Sequence, residues 1–229
     1  MALMGKIVEI AGRRCQGCGR PVGGRSWLCP QCLAQMPQRQ GGYCPCCGAL
    51  AVDPQGPVLL CAECRQTAPP WASVAFWGAY RGMLRCLITQ LKFAGQLGVA
   101  GLGGWMLAEA VHQRHIVAEA IVPVPMWPAA VAARGFNQSV ELARQLSRHM
   151  GWPLHLGLRK VRQTLRQARL NRRERQENVA GAFAAQEVKG LRLMLVDDIM
   201  TTGATLRACA LACRTAGAQE IHCAVVARA

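Results

Sequence analysis

The sequence lacks any run of 18 uncharged apolar residues, although 52% of its 229 residues are hydrophobic. This absence excludes a transmembrane helix, which needs about 20 predominantly apolar residues. The N-terminal stretch MALMGKIVEIAGRRC also lacks the charged-then-apolar order and the small-residue cleavage site of a secretory signal peptide. We therefore expect a globular cytoplasmic protein that does not insert into a membrane and has enough apolar residues for a packed core.

Acidic residues are scarce as well, because 12 Asp and Glu stand against 27 Lys and Arg, giving a formal net charge of +15. A charge of this sign and size favours polyanionic partners, either nucleic acid or phosphorylated small molecules. Much of the excess lies in residues 159–175, where a solvated helix face is the alternative interpretation. The basic residues of this segment, which face only Glu174, are Arg159, Lys160, Arg162, Arg166, Arg169, Arg172, Arg173 and Arg175.

Thirteen cysteines are unlikely to form disulfides in the cytoplasm, where thiols are kept reduced and clustered CxxC pairs more often hold metal. Eight of them form two similar blocks, each containing two CxxC pairs. The first block is Cys15, Cys18, Cys29 and Cys32, and the second is Cys44, Cys47, Cys61 and Cys64.

Each CxxC turn brings two thiolates together, so two turns supply four sulfurs to Zn²⁺ at about 2.3 Å. Gly19 and Gly48 follow the second cysteine of a pair, where a tight turn lets backbone amides approach the sulfurs. We therefore predict one or two structural zinc ions, most simply one per block, although pairing between blocks stays open. Cys46 is left over and is an alternative ligand. The remaining cysteines fall on apolar positions and are expected in the core: Cys86, Cys209, Cys213 and Cys223.

The composition changes near Pro69-Pro70-Trp71, which predicts a double zinc ribbon over residues 1–70 and a second domain over 71–229. In the second part, strand and helix patterns alternate, which favours a parallel sheet with helices on both faces. Strands are expected at 73–80, 120–124, 191–196 and 221–227. Helices are expected at 83–93, 97–114, 137–150 and 204–216, the second weakened by its glycines.

The segment LVDDIMTTGAT, at 195–205, has the composition of a ribose-phosphate site. A buried strand ends in Asp197 and Asp198, and ligands of open parallel sheets bind at this end of the strands. The hydroxyls and amides that follow open a helix and suit a phosphate, and the two aspartates suit ribose hydroxyls or water-bound Mg²⁺. The alternative is ordinary capping of a turn and a helix. The phosphate-binding candidates are Thr201, Thr202, Gly203, Ala204 and Thr205.

The whole segment resembles the phosphoribosyl-pyrophosphate motif of type I phosphoribosyltransferases, which implies a Rossmann-like α/β fold. Further segments make nearly the whole chain similar to the ComF family, including its GntX-like proteins. These segments are Ile121-Val-Pro-Val-Pro125, Arg134-Gly-Phe-Asn-Gln138, Thr164-x2-Gln167, Asn178-Val-x-Gly-Ala-Phe183 and Leu91-Lys-Phe-x-Gly95. The resemblance implies binding of phosphoribosyl pyrophosphate with Mg²⁺ and a link to natural transformation, DNA uptake or DNA utilisation.

The resemblance also implies roles for the basic residues. Arg134 and Gly135 become candidates for a pyrophosphate loop, with Lys92 as a further candidate, and the basic segment occupies the place of a mobile loop that closes over the substrate. Arg134 and Arg173 are the predicted catalytic arginines, because cations that meet a departing pyrophosphate lower the barrier to ribosyl transfer. Asp197 and Asp198 complete the predicted catalytic set.

The acceptor is not specified by the sequence. Purine-salvage relatives often carry a carboxylate where this chain has Thr201, so hypoxanthine or guanine salvage is disfavoured. Two non-catalytic hypotheses stay open: a single-stranded DNA-binding module with a nucleotide-sensing site, and a zinc scaffold that recruits DNA-processing proteins. Stacking of DNA bases on Trp27, Tyr43 or Trp71 would serve the first of these, although packing around zinc is the favoured interpretation for Trp27 and Tyr43. A homodimer is expected only by analogy with related transferases.

Overall fold

The computed structural model describes residues 13–24, 26–93, 98–164 and 172–229. The elements described in its cysteine-rich segment are short: two paired strands of two residues each and two helices of five residues. No helix within the described ranges is both long and apolar enough to cross a membrane. The elements of this segment are β1 (Arg13–Arg14), β2 (Pro21–Val22), α1 (Pro30–Ala34) and α2 (Ala62–Gln66).

The remainder alternates strands and helices around one parallel sheet. In chain order the elements are β3 (Ser73–Ala79), α3 (Gly82–Phe93), α4 (Gly98–Gln113), β4 (Ala120–Pro123), α5 (Pro128–Arg134), α6 (Gln138–Met150), β5 (Leu158–Lys160), α7 (Arg172–Val179), β6 (Phe183–Ala185), β7 (Arg192–Met200), α8 (Ala204–Thr215) and β8 (Glu220–Arg228). The sheet has the order β3-β8-β7-β4, and every neighbouring pair is parallel. The predicted parallel α/β architecture is therefore confirmed.

Helices cover both faces of this sheet, as predicted. On one face α3, α4 and α6 contribute Leu84, Leu107 and Leu142 to a core that includes Met194 of β7. On the other face α8 packs against alternate residues of the same strand, including Leu195. Successive residues of a strand point to opposite faces, so a strand covered on both sides is apolar throughout.

The glycines of α4 bring helices into close contact instead of weakening the helix. A β-carbon on Gly104 would lie 2.2 Å from Cβ of Gln145 in α6, and one on Gly101 would lie 2.3 Å from the Trp27 ring. These positions are buried, and no larger residue fits them without a shift of the neighbouring chain. The helix therefore forms at 98–113 because tertiary packing outweighs the low helix propensity of glycine.

Three details differ from the sequence-based expectations. Strand β7 extends to Met200, because β8 beside it continues to Arg228 and pairs with it to the end. Strands β5 and β6, which were not predicted, form an antiparallel pair beside the main sheet. Cys86 is exposed, because its position in α3 faces away from the core, whereas Cys209, Cys213 and Cys223 are buried as expected.

The cysteine-rich segment packs directly on the α/β part. Cys15 and Cys32 belong to the same core cluster as α3 and α4, whereas Tyr43 packs edge-on against Phe76 of β3, with 5.2 Å between ring centroids. The domain boundary expected between residues 70 and 71 stays a prediction. Side chains from both sides of this boundary pack in the same hydrophobic cores.

Candidate functional site

A cavity of about 820 Å³ opens at the carboxyl ends of β4 and β7. Residues 197–206 form one wall, and the start of α6 contributes Gln138 and Ser139. The pair β5 and β6 contributes Lys160 and Phe183. This is the edge of a parallel sheet at which ligands bind in open α/β folds.

The phosphate-binding candidates form a bend between β7 and α8. Thr201 is exposed, Thr202 is partly buried, and Gly203 is the N-cap of α8 with φ +76°. A β-carbon on Gly203 would lie 2.7 Å from Cε of Met200, so glycine is required both by the backbone angle and by the contact. The amide of Ala204 donates to Thr202 Oγ1 over 3.4 Å, and the following amides start the helix at the cavity wall. All five predicted residues, 201–205, line the cavity.

Asp197 is partly buried and is held by two donors. The Ser139 hydroxyl donates to Oδ1 over 2.8 Å, and the amide of Asp198 donates to the same oxygen over 2.9 Å. Burial, followed by the neighbouring Asp198 carboxylate, nevertheless raises the pKa of Asp197 to about 7. Ionisation of this carboxyl is thus disfavoured in the absence of a ligand.

Asp198 is the more buried of the two acids, with 4% of its side chain exposed. Its Oδ1 accepts from the amide of Ile199 over 2.7 Å, and its Oδ2 lies 2.9 Å from Nζ of Lys92. Apart from this ion pair, Oδ2 has no hydrogen-bond partner among the described residues. A carboxyl oxygen without a hydrogen bond at the wall of a cavity suits a further cation or a hydroxyl donor.

The structure places the predicted pyrophosphate-loop residues in different surroundings. Lys92 lines the cavity, whereas Arg134 and Gly135 are outside its lining. Arg134 Nη1 donates to Gln138 Oε1 over 2.7 Å, and Gly135 ends α5 with φ +85°. Arg173 lies on α7, but its side chain falls outside the described part of the chain, as do Gln167 and Gly95.

Sequence reasoning missed two polar contributors to the cavity. Ser139 lies on the first turn of α6, whose N-cap Asn137 also donates to the carbonyl of Val124 over 3.0 Å. Lys160 donates to Thr164 Oγ1 over 2.6 Å, and burial lowers its pKa. The Asn-x-Ser sequence at the start of α6 could have indicated Ser139. The pairing of β5 with β6, which brings Lys160 to the cavity, could not be predicted from the sequence.

The eight predicted metal ligands form two groups, each within one block. In each group the four sulfurs lie within 4.8 Å of one another. The Cys18–Cys29 sulfurs are 3.8 Å apart and the Cys47–Cys61 sulfurs 3.6 Å, close to the edge of about 3.8 Å that a tetrahedron with Zn–S bonds of about 2.3 Å requires. Each group can therefore hold a metal ion. Cys46 lies outside both groups.

The two groups also share their local chemistry. The turns end in Gly19 and Gly48 at φ +74° and +71°, which confirms the predicted tight turns. Burial opposes ionisation of the first cysteine of each group, but backbone amides that donate to the sulfur outweigh it. The pKa falls to about 6 for Cys15 and to about 7 for Cys44. Each group thus provides one readily ionised thiol with which metal binding can begin.

Two of the three aromatic residues considered for base stacking are buried. Tyr43 is 7% exposed and Trp71 is 3% exposed, so neither ring is available to a nucleobase at the surface. Trp27 is partly buried against Gly101, and the Arg13 guanidinium lies 4.8 Å from its ring centroid. Stacking of bases on Tyr43 and Trp71 is therefore wrong, because both rings fill the contact between the cysteine-rich segment and the sheet. The burial of Tyr43, next to Cys44, agrees instead with the packing role favoured for this ring.

Comparison with known proteins places this geometry in context. The family model described as phosphoribosyl transferase domain matches residues 129–229. The chain is 34% identical over 201 residues to the DNA utilization protein YhgH of Salmonella typhimurium, covering 84% of this chain and 86% of the relative. It is 32% identical over 216 residues to Competence protein F of Haemophilus influenzae, covering 90% and 92%.

Among solved structures, glutamine phosphoribosylpyrophosphate amidotransferase from B. subtilis, complexed with ADP and GMP, is 27% identical with a TM-score of 0.38. The match covers 55% of this chain and 25% of that longer one.

Proposed function

This chain belongs to the ComF family, and from that membership we propose that it binds phosphoribosyl pyrophosphate with Mg²⁺ and transfers the phosphoribosyl group to an acceptor during DNA utilisation or competence. The observation that carries the proposal is the joint lining of one cavity by Asp197, Asp198 and residues 201–205. Two carboxylates and a helix N-terminus then face the same space, as a sugar phosphate requires.

The proposed roles follow from the contacts. The amides and hydroxyls of residues 201–205 bind the 5-phosphate, because the N-terminus of α8 carries partial positive charge. Asp197 and Asp198 accept hydrogen bonds from the ribose hydroxyls or hold Mg²⁺ through water. Lys92, beside Asp198, supplies a cation within the cavity. Arg134, which donates to Gln138 of the cavity wall, is the proposed arginine of the pyrophosphate loop.

In the proposed transfer a lone pair on the acceptor forms a bond to C1 of the ribose, and the bond from C1 to the pyrophosphate oxygen breaks. Pyrophosphate leaves with the bonding electrons, and the acceptor loses its proton to water or to a base. Mg²⁺, when bound, neutralises charge on the departing pyrophosphate. Thr201 offers no carboxylate at its position, so the acceptor is an oxygen nucleophile or a nitrogen that needs no strong base.

Each cysteine group is proposed to hold one structural zinc ion. The sulfur separations support this, because they match a tetrahedral site before any adjustment. The role is structural because four thiolates fill the coordination sphere and leave no position for a substrate.

Release of pyrophosphate from phosphoribosyl pyrophosphate, with candidate acceptors present, tests the transfer. We expect release that depends on Mg²⁺ and is abolished by Asp198→Asn. Asp53→Asn is the matched control, since Asp53 caps an exposed turn through Gln55 and lies outside the cavity lining. Binding without turnover on bases, nucleotides or DNA would contradict transfer and favour a nucleotide sensor.

Binding of single-stranded DNA is a second candidate, favoured by the net charge of +15 and by the names of the relatives. With Tyr43 and Trp71 buried, phosphate contacts would dominate, so affinity should fall steeply with salt. A fluorescence titration with labelled oligonucleotides tests this, and absence of binding at about 50 mM salt would exclude it.

A further inference from the structure

The Arg228 side chain joins the second cysteine group to the phosphate-binding bend. The guanidinium of Arg228 donates through Nε to the carbonyl of Cys47 over 3.1 Å. Through Nη1 it donates to the carbonyl of Met200 over 3.0 Å and also to that of Thr201. One side chain at the end of β8 thus holds both a cysteine turn and the first residue of the phosphate-binding bend.

Trp71 makes a second connection between the same two parts. Its indole Nε1 donates to the carbonyl of Cys46 over 2.7 Å, and its ring is almost fully buried. A β-carbon on Gly203 would lie 3.5 Å from this ring, so the bend rests on Trp71. The Arg207 guanidinium of α8 lies 5.8 Å from the ring centroid on the same side of the molecule.

The cysteine turn is itself fixed to the sheet. The amide of Val74 donates to the carbonyl of Pro45 over 3.2 Å, and a β-carbon on Gly48 would lie 3.3 Å from both Phe76 and the Arg228 side chain. The turn that contains Cys44 and Cys47 therefore lies against β3 and against the Arg228 side chain, which in turn contacts the bend.

The first cysteine group has a different neighbourhood and supplies a natural control. Its turn at Gly17 contacts Met83 of α3, and its segment packs through Trp27 on Gly101 of α4. Arg14 donates to the carbonyl of Gly19 over 3.1 Å, which resembles the bond from Arg228 to Cys47 but has no link to the phosphate-binding bend.

We propose that Arg228 is a positioning residue that fixes the phosphate-binding bend to the second cysteine group, so that binding of phosphoribosyl pyrophosphate depends on the metal content of that group. The identity of the ligand in this inference rests on the proposed function. The ordering of the bend by the group of Cys44, Cys47, Cys61 and Cys64 is independent of the proposed function.

The physical reason is the rigidity of a four-thiolate site. A bound metal joins two turns that are distant in sequence and fixes the carbonyl of Cys47, which the Arg228 guanidinium needs as an acceptor. Without the metal the turn loses this restraint, and ordering of the bend then opposes ligand binding. Because the coupling is reciprocal, phosphoribosyl pyrophosphate should also slow loss of metal from the second group.

Arg228→Met tests the inference, since it keeps an unbranched side chain and removes the donors. Hydrogen exchange of residues 198–206, followed by mass spectrometry on the metal-loaded protein without ligand, should show loss of protection. Affinity for phosphoribosyl pyrophosphate with Mg²⁺ should fall at least about tenfold, as expected from lost hydrogen bonds to a charged donor. Arg14→Met is the matched control, and neither readout should change in it.

A second variant guards against misfolding of the first. Trp71→Phe retains an aromatic ring beside Gly203 but loses the bond to Cys46, and it should raise exchange at 198–206 with its melting cooperativity intact. Unchanged exchange at 198–206 in both variants would overturn the inference. If exchange rises but the wild-type protein binds no phosphoribosyl pyrophosphate, the structural part stands and the proposed ligand is wrong.

The reciprocal effect gives a readout that needs no activity. Zinc released to a colorimetric chelator should leave the wild-type protein more slowly with phosphoribosyl pyrophosphate present, and only from the fraction held by the second group. Slowing of equal size in Arg228→Met would contradict the role of this side chain.

Discussion

The two adjacent acids of the cavity differ in what surrounds them. Asp198 has Lys92 within 2.9 Å, whereas Asp197 has the Ser139 hydroxyl and a carboxylate neighbour. Asp197 is therefore the acid whose ionisation opposes folding, and a bound cation or ribose would relieve the repulsion between the pair. Ser139 restrains the oxygen that faces it, so the start of α6 sets the orientation of an acid on β7.

The first prediction concerns the stability of the ligand-free protein. The carboxyl of Asp197 titrates near pH 7 in the folded state but at about 4 when unfolded, so the folded state binds this proton more tightly. Its contribution to stability is present below about pH 4 and is lost as pH rises through 7. Asp197→Asn should therefore stabilise the protein by about 1–3 kcal/mol at pH 8, measured by urea unfolding without Mg²⁺.

The control for this prediction is the pH dependence of the difference between variant and wild type. The stabilisation should shrink between pH 8 and pH 5, because wild-type Asp197 becomes protonated over this range. A difference that does not change with pH would mean that Asp197 is already ionised at pH 5 and that burial does not raise its pKa.

At the scale of secondary-structure elements, the contact between α4 and α6 shows why glycine is used within a helix. Gly104 allows the backbone of α6 to approach, and Gly103 accommodates Leu142, whose methyl group would lie 2.5 Å from an added β-carbon. The ends of α6 and of β4 then meet at the cavity. Close helix packing on this face therefore fixes the position of Ser139 relative to Asp197.

The second prediction is that Gly104→Ala destabilises the protein by about 1–3 kcal/mol through overpacking against Gln145. Helix propensity alone would predict stabilisation by about 1 kcal/mol. Thermal or urea unfolding distinguishes the two signs. Gly98→Ala in the same helix is the control, because the nearest described atom to a β-carbon there is Gln16 Oε1 at 3.8 Å, and its effect should be neutral or stabilising.

Elements with a strong apolar pattern could be predicted from the sequence, and those set by tertiary pairing could not. The strand at 73–79 and the helix at 138–150 agree with expectation, because burial on one or both faces produces a clear spacing of apolar residues in the sequence. The antiparallel pair of β5 and β6 was missed because its strands have three residues each and pair across a long separation in sequence. The extension of β7 depends on the neighbouring strand, which no local pattern records.

The candidate site divides in the same way. The acids and the threonine-rich bend are contiguous in sequence, so one motif predicts them together with their position at a strand end. Three other elements contribute Lys92, Ser139 and Lys160 to the cavity. Of these, Lys92 was predicted through the family resemblance, and the other two were not predicted. Arg228 could not be found, because its role comes from reaching a cysteine turn distant in sequence.

On the scale of the whole molecule, the two cysteine groups support opposite sides of the sheet. The first packs with the core of α3 and α4, and the second lies beside Tyr43 and Phe76, which belong to the core on the other face. We therefore expect metal binding and folding to be linked in this chain, because loss of either group would expose part of a core. The arrangement also explains why so many apolar residues surround short, irregular segments.

The third prediction is a zinc content of two ions per chain, measured by mass spectrometry of the purified protein. Cys15→Ser and Cys44→Ser should each remove one ion, and the double variant should remove both, because the two groups share no ligand. Zinc affinity should fall as pH decreases through 7 and 6, where Cys15 and Cys44 regain their protons. Fewer than about one ion per chain would contradict both sites.

The central claim is that the cavity at the end of β7 binds phosphoribosyl pyrophosphate, and calorimetric titration of the zinc-loaded protein tests it most directly. We predict saturable one-to-one binding that requires Mg²⁺, is lost in Asp198→Asn and is retained in Asp53→Asn. Absence of binding by the wild-type protein, or equal binding by both variants, would contradict the claim.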